Sequence, residues 1–316
     1  MTENYLEDLG DGIHAVDSGY IRKQFDAVHL IVSGDRAAIV DTATARSAPR
    51  VLAALAQLGI PRENVDYVIL THVHLDHAGG AGTLMAALPN ARLTVHPLGA
   101  RHMIDPTRLW AGTCLVYGEQ RAVQMYGGPT PVPAQQVIET PEGASVNLAG
   151  RVLEFYDTPG HARHHVTIRD TLTGNLFTGD TFGIAYRELD VDGRAFLMPS
   201  STPTQFDPEQ LLRSIERILA LSPPSVYLTH YSRRDDVAAL GVELKRRIAG
   251  YVAIAQAEAG AGAERQARIE ARMASYMIAE LRAHGSKYSD GEIAELLTID
   301  IALNSAGLIN WLDRIG

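Results

Sequence analysis

The chain has 316 residues, 46% hydrophobic and 21% charged, the balance of a folded globular protein and not of a disordered one. Its 28 Lys and Arg stand against 37 Asp and Glu, a formal charge of -9 that repels polyanions unless a local basic patch holds them. The lone Cys114 cannot close an internal disulfide, no run reaches the roughly 20 apolar residues of a membrane-spanning helix, and the polar opening Met1-Thr2-Glu3-Asn4 lacks a secretion-signal pattern, so a cytoplasmic protein without nucleic-acid or membrane partners is expected.

Short apolar runs punctuated by Gly and Asp dominate the first half. Ile13–Val16, Ala27–Val32 and Ala37–Val40 predict an antiparallel meander. Arg46 to Leu58 carries Val51, Leu52, Leu55 and Leu58 at helical spacing and ends at Gly59 before Pro61. Val68-Ile69-Leu70 predicts a buried strand running into Thr71-His72-Val73-His74-Leu75-Asp76-His77, followed by a helix from Ala78 to Leu88 and the strand Leu93-Thr94-Val95. Beyond a Gly/Pro-rich stretch at Gly127–Pro133, strands are expected at Gln136–Ile138, Val146–Leu148, Val152–Tyr156, Val166–Ile168 and Leu176-Phe177. A helix at Pro208 to Leu221 then precedes Val226-Tyr227-Leu228-Thr229 and His230. Two successive sets of strands followed by helices imply two sheets with helices outside. From about Asp235 the chain turns rich in Ala, Glu and Arg. Val237–Ala259, Glu264–His284 and Gly291–Ile315 predict three helices in series, with Ile269, Met273, Met277 and Leu281 marking one apolar stripe.

Four groups of chemically capable residues each follow an apolar strand. In the first, His72 and His74 are one residue apart and face the same side of an extended segment, while Asp76 and His77 come after the chain bends. Imidazoles plus a carboxylate suit zinc, iron or manganese. The second group, Asp157-Thr158-Pro159-Gly160-His161, fixes His161 on a Pro-Gly turn. The third, Thr178-Gly179-Asp180-Thr181, supplies a carboxylate with two oxygens to share between ions, and the fourth is His230 after Tyr227-Leu228-Thr229.

This series, His-x-His-x-Asp-His followed by Pro-Gly-His, Gly-Asp and a late His, resembles the metallo-β-lactamase superfamily. The resemblance implies an αββα four-layer sandwich over residues 1–234, with a C-terminal all-helical appendage over 235–316 that covers the cleft or forms a homodimer interface. It implies that His72, His74 and His161 hold one divalent ion, that Asp76, His77 and His230 hold a second, and that Asp180 bridges them. Zinc is the first expectation, with iron or manganese as alternatives. Asp41 sits where the family places an acid that steadies a ligand histidine. The implied activity is hydrolysis of an ester or thioester in a small-molecule acyl substrate by a metal-bridging hydroxide, with Asp76 orienting it. Tyr186, six residues past Asp180, is a candidate donor to the developing oxyanion, its bland alternative being a loop aromatic packed on Phe182.

Aspartate at 180, where true β-lactamases often carry cysteine, argues against β-lactam hydrolysis, and an all-helical C-terminus argues against a flavin-bearing reductase. Glyoxalase II, acyl-homoserine lactonases and quinolone-signalling thioesterases are the nearer types. Alternatives of other classes are an iron-dependent persulfide dioxygenase and a non-catalytic metal-containing regulatory protein; a transfer-RNA nuclease is disfavoured by the missing basic cluster. His164 and His165 are expected to support the loop or face substrate. Arg233 and Arg234 are read as a solvated loop pair in preference to an anion-binding pair. Phe196–Pro199 is a further candidate wall of the cleft, Cys114 is expected to be a buried small apolar residue, and His14, His29, His96, His102 and His284 are expected to be ordinary.

Overall fold

Apolar runs broken by glycine and aspartate become strands in the computed structural model, which describes residues 5–201 and 204–315. These residues divide into two compact units. One contains the chain up to Asp157 together with His164–Gly179 and Pro223–Asp235; the other contains Thr158–Arg163, Asp180–Ser222 and the chain from Asp236 on.

The first unit holds both sheets. Seven strands stand side by side in chain order: β1 (Leu6–Asp8), β2 (Ile13–Asp17), β3 (Ala27–Ser33), β4 (Arg36–Val40), β5 (Val65–Ile69), β6 (Arg92–Val95) and β7 (Val137–Glu139). The expected meander is β2 to β4, whose turns are short enough for antiparallel pairing. From β4 onward the pairs are parallel, and each connection becomes a helical crossover because a tight turn cannot return the chain in the same direction. The crossovers are α1 (Ala48–Gln57), then α2 (Leu75–Ala78) with α3 (Ala81–Ala87), then α4 (Pro97–Ile104), α5 (Thr107–Tyr117) and α6 (Glu119–Tyr126). The second sheet runs from β8 (Ser145–Leu148) through β9 (Arg151–Asp157), β10 (Val166–Asp170), β11 (Leu176–Gly179) and β12 (Val226–Leu228) to β13 (Ser232–Arg234). Only β11 and β12 in it are parallel, and the long α-containing stretch between them is what that direction requires.

The alternation of side chains along each strand makes two cores. Leu30, Ile39 and Val68 point outward onto Val51 and Leu55 of α1 and Leu84 of α3. Their neighbours Ile31, Val40 and Ile69 point inward and meet Leu153, Phe155, Ile168 and Phe177 of the second sheet. With β4 and β5 buried on both faces, the segments entering and leaving them are fixed in direction.

The second unit is helical: α7 (Pro208–Ala220), α8 (Val237–Ala257), α9 (Arg265–His284), α10 (Asp290–Leu296) and α11 (Thr298–Ile315). Asp207 starts α7 by accepting the Gln210 N–H, with Pro208 in the first turn where no donor is needed. The predicted stripe on α9 is the buried one: Ile269, Met273, Met277 and Leu281 are all enclosed. Among the described residues no helix is long and apolar enough to cross a membrane.

Two helices differ from expectation. The segment from Ala78 to Leu88 is interrupted at Gly79-Gly80, where the Gly80 N–H turns to the Ala43 carbonyl at 2.9 Å. The third C-terminal helix is two, parted at Leu297.

Candidate metal centre

Within the first unit, the turn after β5 gathers a donor set. His77 is fully buried, and its Nδ1 lies 2.9 Å from Asp41 Oδ2. His230, after β12, places Nδ1 3.0 Å from the Phe25 carbonyl. A ring nitrogen next to a carboxylate or a carbonyl must carry the proton, which leaves Nε2 as the lone-pair atom in both rings. Both Nε2 atoms lie close to one oxygen: Asp76 Oδ2 is 3.9 Å from that of His77 and 3.8 Å from that of His230. The three donor atoms fall within 4.8 Å of one another. Donors about 2.0–2.2 Å from a shared cation would stand at such separations after a small adjustment, so the residues present fit a divalent ion.

His72 follows the same rule. Its Nδ1 sits 3.1 Å from Thr71 Oγ1, and Nε2 lies 2.8 Å from His74 Nδ1. The threonine is itself tied to Asp41, which accepts the Thr71 N–H at 2.8 Å and its hydroxyl at 2.9 Å. Asp41 also accepts the Thr229 hydroxyl at 2.8 Å, one residue before His230. One buried carboxylate thus anchors the β5 turn and the end of β12 together. Asp41 adopts φ 57°, a left-handed conformation that aspartate tolerates better than most residues. Gly179 closes the same region: at φ +47° it leaves no room for a Cβ, which would come 2.5 Å from His165 Nε2 and 2.8 Å from Thr71 Oγ1.

The second unit carries the remaining two predicted metal ligands. His161 Nε2 and Asp180 Oδ2 are 3.4 Å apart, and Ser200 donates its hydroxyl to that same Oδ2 at 3.1 Å. His161 Nδ1 faces the Ser200 carbonyl at 3.2 Å, so Nε2 is again the lone-pair atom. The Pro-Gly turn before it is as constrained as its sequence suggests. Gly160 has φ +127°, and a Cβ there would meet the Leu211 nitrogen at 2.2 Å.

A family model described as the metallo-beta-lactamase superfamily matches residues 25–230. The chain belongs to that superfamily. Its fold is accordingly the metallo-β-lactamase sandwich of two sheets and helices, carrying C-terminal helices. Among similar superfamily proteins, the metallo-beta-lactamase fold-containing protein ST1585 of Sulfurisphaera tokodaii is 25% identical over 224 residues, covering 69% of this chain and 78% of that one. A hydroxyacylglutathione hydrolase of Synechococcus sp. strain JA-2-3B'a(2-13) is 32% identical over 156 residues, so the match spans about half the length of each protein, 49% of this chain and 48% of that one. The crystal structure of the metallo-beta-lactamase family protein TTHA1429 from Thermus thermophilus superposes with a TM-score of 0.62 over 98% of this chain and 95% of that one, at 20% identity, a likeness of fold.

Other residues singled out from the sequence have structural partners. His165 packs against the His72 ring at 5.0 Å, and His164 Nδ1 accepts the Val73 N–H at 3.4 Å. His29 is a core histidine between the rings of Phe177 and Tyr227. Tyr186 is completely buried, and its hydroxyl donates to Asp300 Oδ1 of α11 at 3.0 Å. The expected solvated pair Arg233 and Arg234 is instead part of β13, paired to β12: Arg234 is buried, while Arg233 donates to the Leu9 carbonyl and to Asp235, each at 3.0 Å. Cys114 is half-buried and not enclosed, because α5 has no fully buried residue. Sequence reasoning passed over Tyr20, Phe25, Tyr117 and Tyr126, whose rings form a run beginning at His230. Their spacing in the chain carries no motif.

Proposed function

We propose that this chain is a binuclear metal-dependent hydrolase of a small-molecule ester or thioester. The observation that carries the reading is the shared orientation of the imidazoles: His77, His230 and His161 each have Nδ1 held by an oxygen of the protein, leaving Nε2 to bind. In this reading His72, His74 and His161 would hold one ion, Asp76, His77 and His230 would hold the other, and Asp180 would be a ligand shared by the two. When bound, such ions supply Lewis-acid activation of water and of the substrate carbonyl.

The chain's own residues do the rest. Asp76, which like His74 is partly exposed, orients the attacking water and accepts its proton. The water oxygen adds to the acyl carbon, the bond to the leaving oxygen or sulfur breaks, and Asp76 returns the proton to the departing group. Tyr186 is read as a positioning residue, since its hydroxyl proton is given to Asp300. Relatives named hydroxyacylglutathione hydrolases support the thioester half of the proposal, the acyl-glutathione linkage being a thioester. Zinc is the first candidate, and iron or manganese suits the same donors.

Elemental analysis of the purified protein, joined to a panel of aryl esters, acyl thioesters and lactones, tests the reading. Two ions per chain are expected, with ester or thioester turnover abolished by His72→Ala. Selective lactone turnover would move the assignment to a lactonase. One iron with oxygen uptake and no hydrolysis would replace it by a dioxygenase, and metal without any turnover would favour a regulatory protein.

A further inference from the structure

In the helical unit, Asp180 opens a loop that comes back to it. The chain leaves Asp180, turns at Gly183, carries Tyr186 and returns through Leu197 and Met198 to Ser200 and Ser201. Its two arms are joined by a reciprocal backbone pair, the Ile184 N–H on the Met198 carbonyl at 2.8 Å and the Met198 N–H on the Ile184 carbonyl at 2.9 Å. Gly183 permits that approach: at φ +81° a Cβ would come 2.6 Å from the Met198 carbonyl oxygen. Ser200 then closes on both candidate ligands of this unit, its hydroxyl on Asp180 and its carbonyl on His161.

Ser200 lies outside any helix or strand, so its place must be set by side-chain bonds. The C-terminal helix α11 supplies them. Asn304 Oδ1 accepts the Ser201 N–H at 2.7 Å, and the Ser201 hydroxyl reaches the same oxygen at 2.7 Å. Four residues earlier, on the same face of α11, Asp300 Oδ1 accepts the Tyr186 hydroxyl from the outgoing arm at 3.0 Å. Next to Asn304, the Ser305 hydroxyl meets Met273 Sδ of α9 at 3.3 Å, which seats the helix. Tyr186, Ser200, Ser201, Asp300 and Asn304 are all buried. Buried polar pairs add little to the docking of a helix that apolar side chains of the same shape would not add. Their bonds go to the loop that starts and ends on Asp180, and that destination accounts for their polarity.

We propose that Ser200 is a positioning residue for Asp180, and that Asn304, through Ser201, sets the place of Ser200, so that the C-terminal helix governs how tightly the centre holds its ions. This rests on the hydrolase reading above for the identity of the ligands and adds what orients two of them. The serine hydroxyl takes one lone pair of Asp180 Oδ2 and fixes the plane of the carboxylate, leaving the other lone pairs directed. Ser200→Ala frees the carboxylate alone. Loss of Asn304 shifts the hydroxyl and the carbonyl of Ser200 together, and so disturbs His161 as well as Asp180.

The test titrates the full chain with Zn²⁺ against a chromogenic chelator, and with Co²⁺, whose visible absorption follows ligand geometry. Ser200→Ala and Asn304→Ala are each expected to weaken Zn²⁺ about tenfold and to change the Co²⁺ spectrum, with a circular dichroism spectrum like the wild type's. Ser200→Thr keeps the hydroxyl and Asn304→Asp keeps the acceptor oxygen, so both should recover most of the affinity. A general loosening of the fold would give no such recovery. Should Asn304→Ala not fold, Ser201→Ala removes only the hydroxyl bonded to Asn304 and is expected to weaken Zn²⁺ several-fold. Wild-type affinity and Co²⁺ spectrum in the folded α11 or Ser201 variant would overturn the proposal, as would losses that neither conservative variant restores. The comparison does not depend on turnover. A wild type that binds ions and hydrolyses nothing would end the hydrolase reading, while the same affinity losses would still support the hold of α11; a wild type that takes up no ion would remove both.

Discussion

Asp41 shows how much of the site depends on one buried carboxylate. Its two oxygens accept the Thr71 N–H and hydroxyl, the Thr229 hydroxyl and the proton of His77 Nδ1, at 2.8 to 3.0 Å. Asparagine in its place keeps one oxygen but sets an NH2 group against donors, so part of the set goes unanswered in a buried place. The consequence for His77 is loss of its tautomer, hence of its Nε2 lone pair. Asp41→Asn is therefore expected to weaken metal affinity about 10- to 100-fold, as loss of an anchoring partner to a ligand histidine generally does. Competition with a chromogenic chelator measures this, and a circular dichroism spectrum like the wild type's would confine the effect to the site. Unchanged affinity would show that His77 is oriented by packing alone. Tyr186 makes a different case. Its partner Asp300 lies 114 positions away, so this buried hydrogen bond to α11 was not legible in the sequence.

At the scale of elements, legibility followed chemistry and burial. The four strand ends were readable because apolar runs stop at residues whose side chains are costly to bury without a task, such as His72 after Leu70 or Asp180 after Phe177. The stripe on α9 was readable because Ile269, Met273, Met277 and Leu281 recur at the helical period and are enclosed. The helix α5 was not, since it buries no residue and Leu115 and Val116 face outward, which removes the amphipathic signal. The break between α10 and α11 was missed for a similar reason: Leu297 leaves the helical pattern without a glycine or proline to announce it. The start of α10 was written in the sequence all the same. Ser289 accepts the Glu292 N–H at 3.3 Å, and Glu292 accepts the Ser289 N–H at 2.7 Å, a reciprocal cap at an exposed helix start. Ser289→Ala is expected to cost about 1 kcal/mol in urea unfolding. Adding Glu292→Ala should cost little more, because the two caps are one device; a fully additive double variant would contradict it.

Over the whole molecule, two buried groups set opposing pH dependences. His29, enclosed between Phe177 and Tyr227, is lowered by burial to about 4 from an ordinary 6.5. Between those values the unfolded chain binds a proton that the folded chain refuses, so His29 makes stability fall as the pH drops from 6.5 to about 4, and contributes no further change below. Asp26 is raised by burial, against the pull of His230, to about 7 from 3.8. There the folded chain keeps a proton that the unfolded chain releases, so Asp26 makes stability fall as the pH rises from 3.8 to about 7. Each slope reaches at most about 1.4 kcal/mol per pH unit, and over their shared window they largely cancel. Removing one group exposes the other. Urea midpoints measured from pH 4.5 to 8 are expected to rise toward acid in His29→Gln relative to the wild type. In Asp26→Asn they should fall toward acid and exceed the wild type's at pH 8, where ionising a buried carboxylate no longer opposes folding. Three parallel curves would mean that neither group changes its proton affinity on folding, and that the acid limit of this protein is set elsewhere.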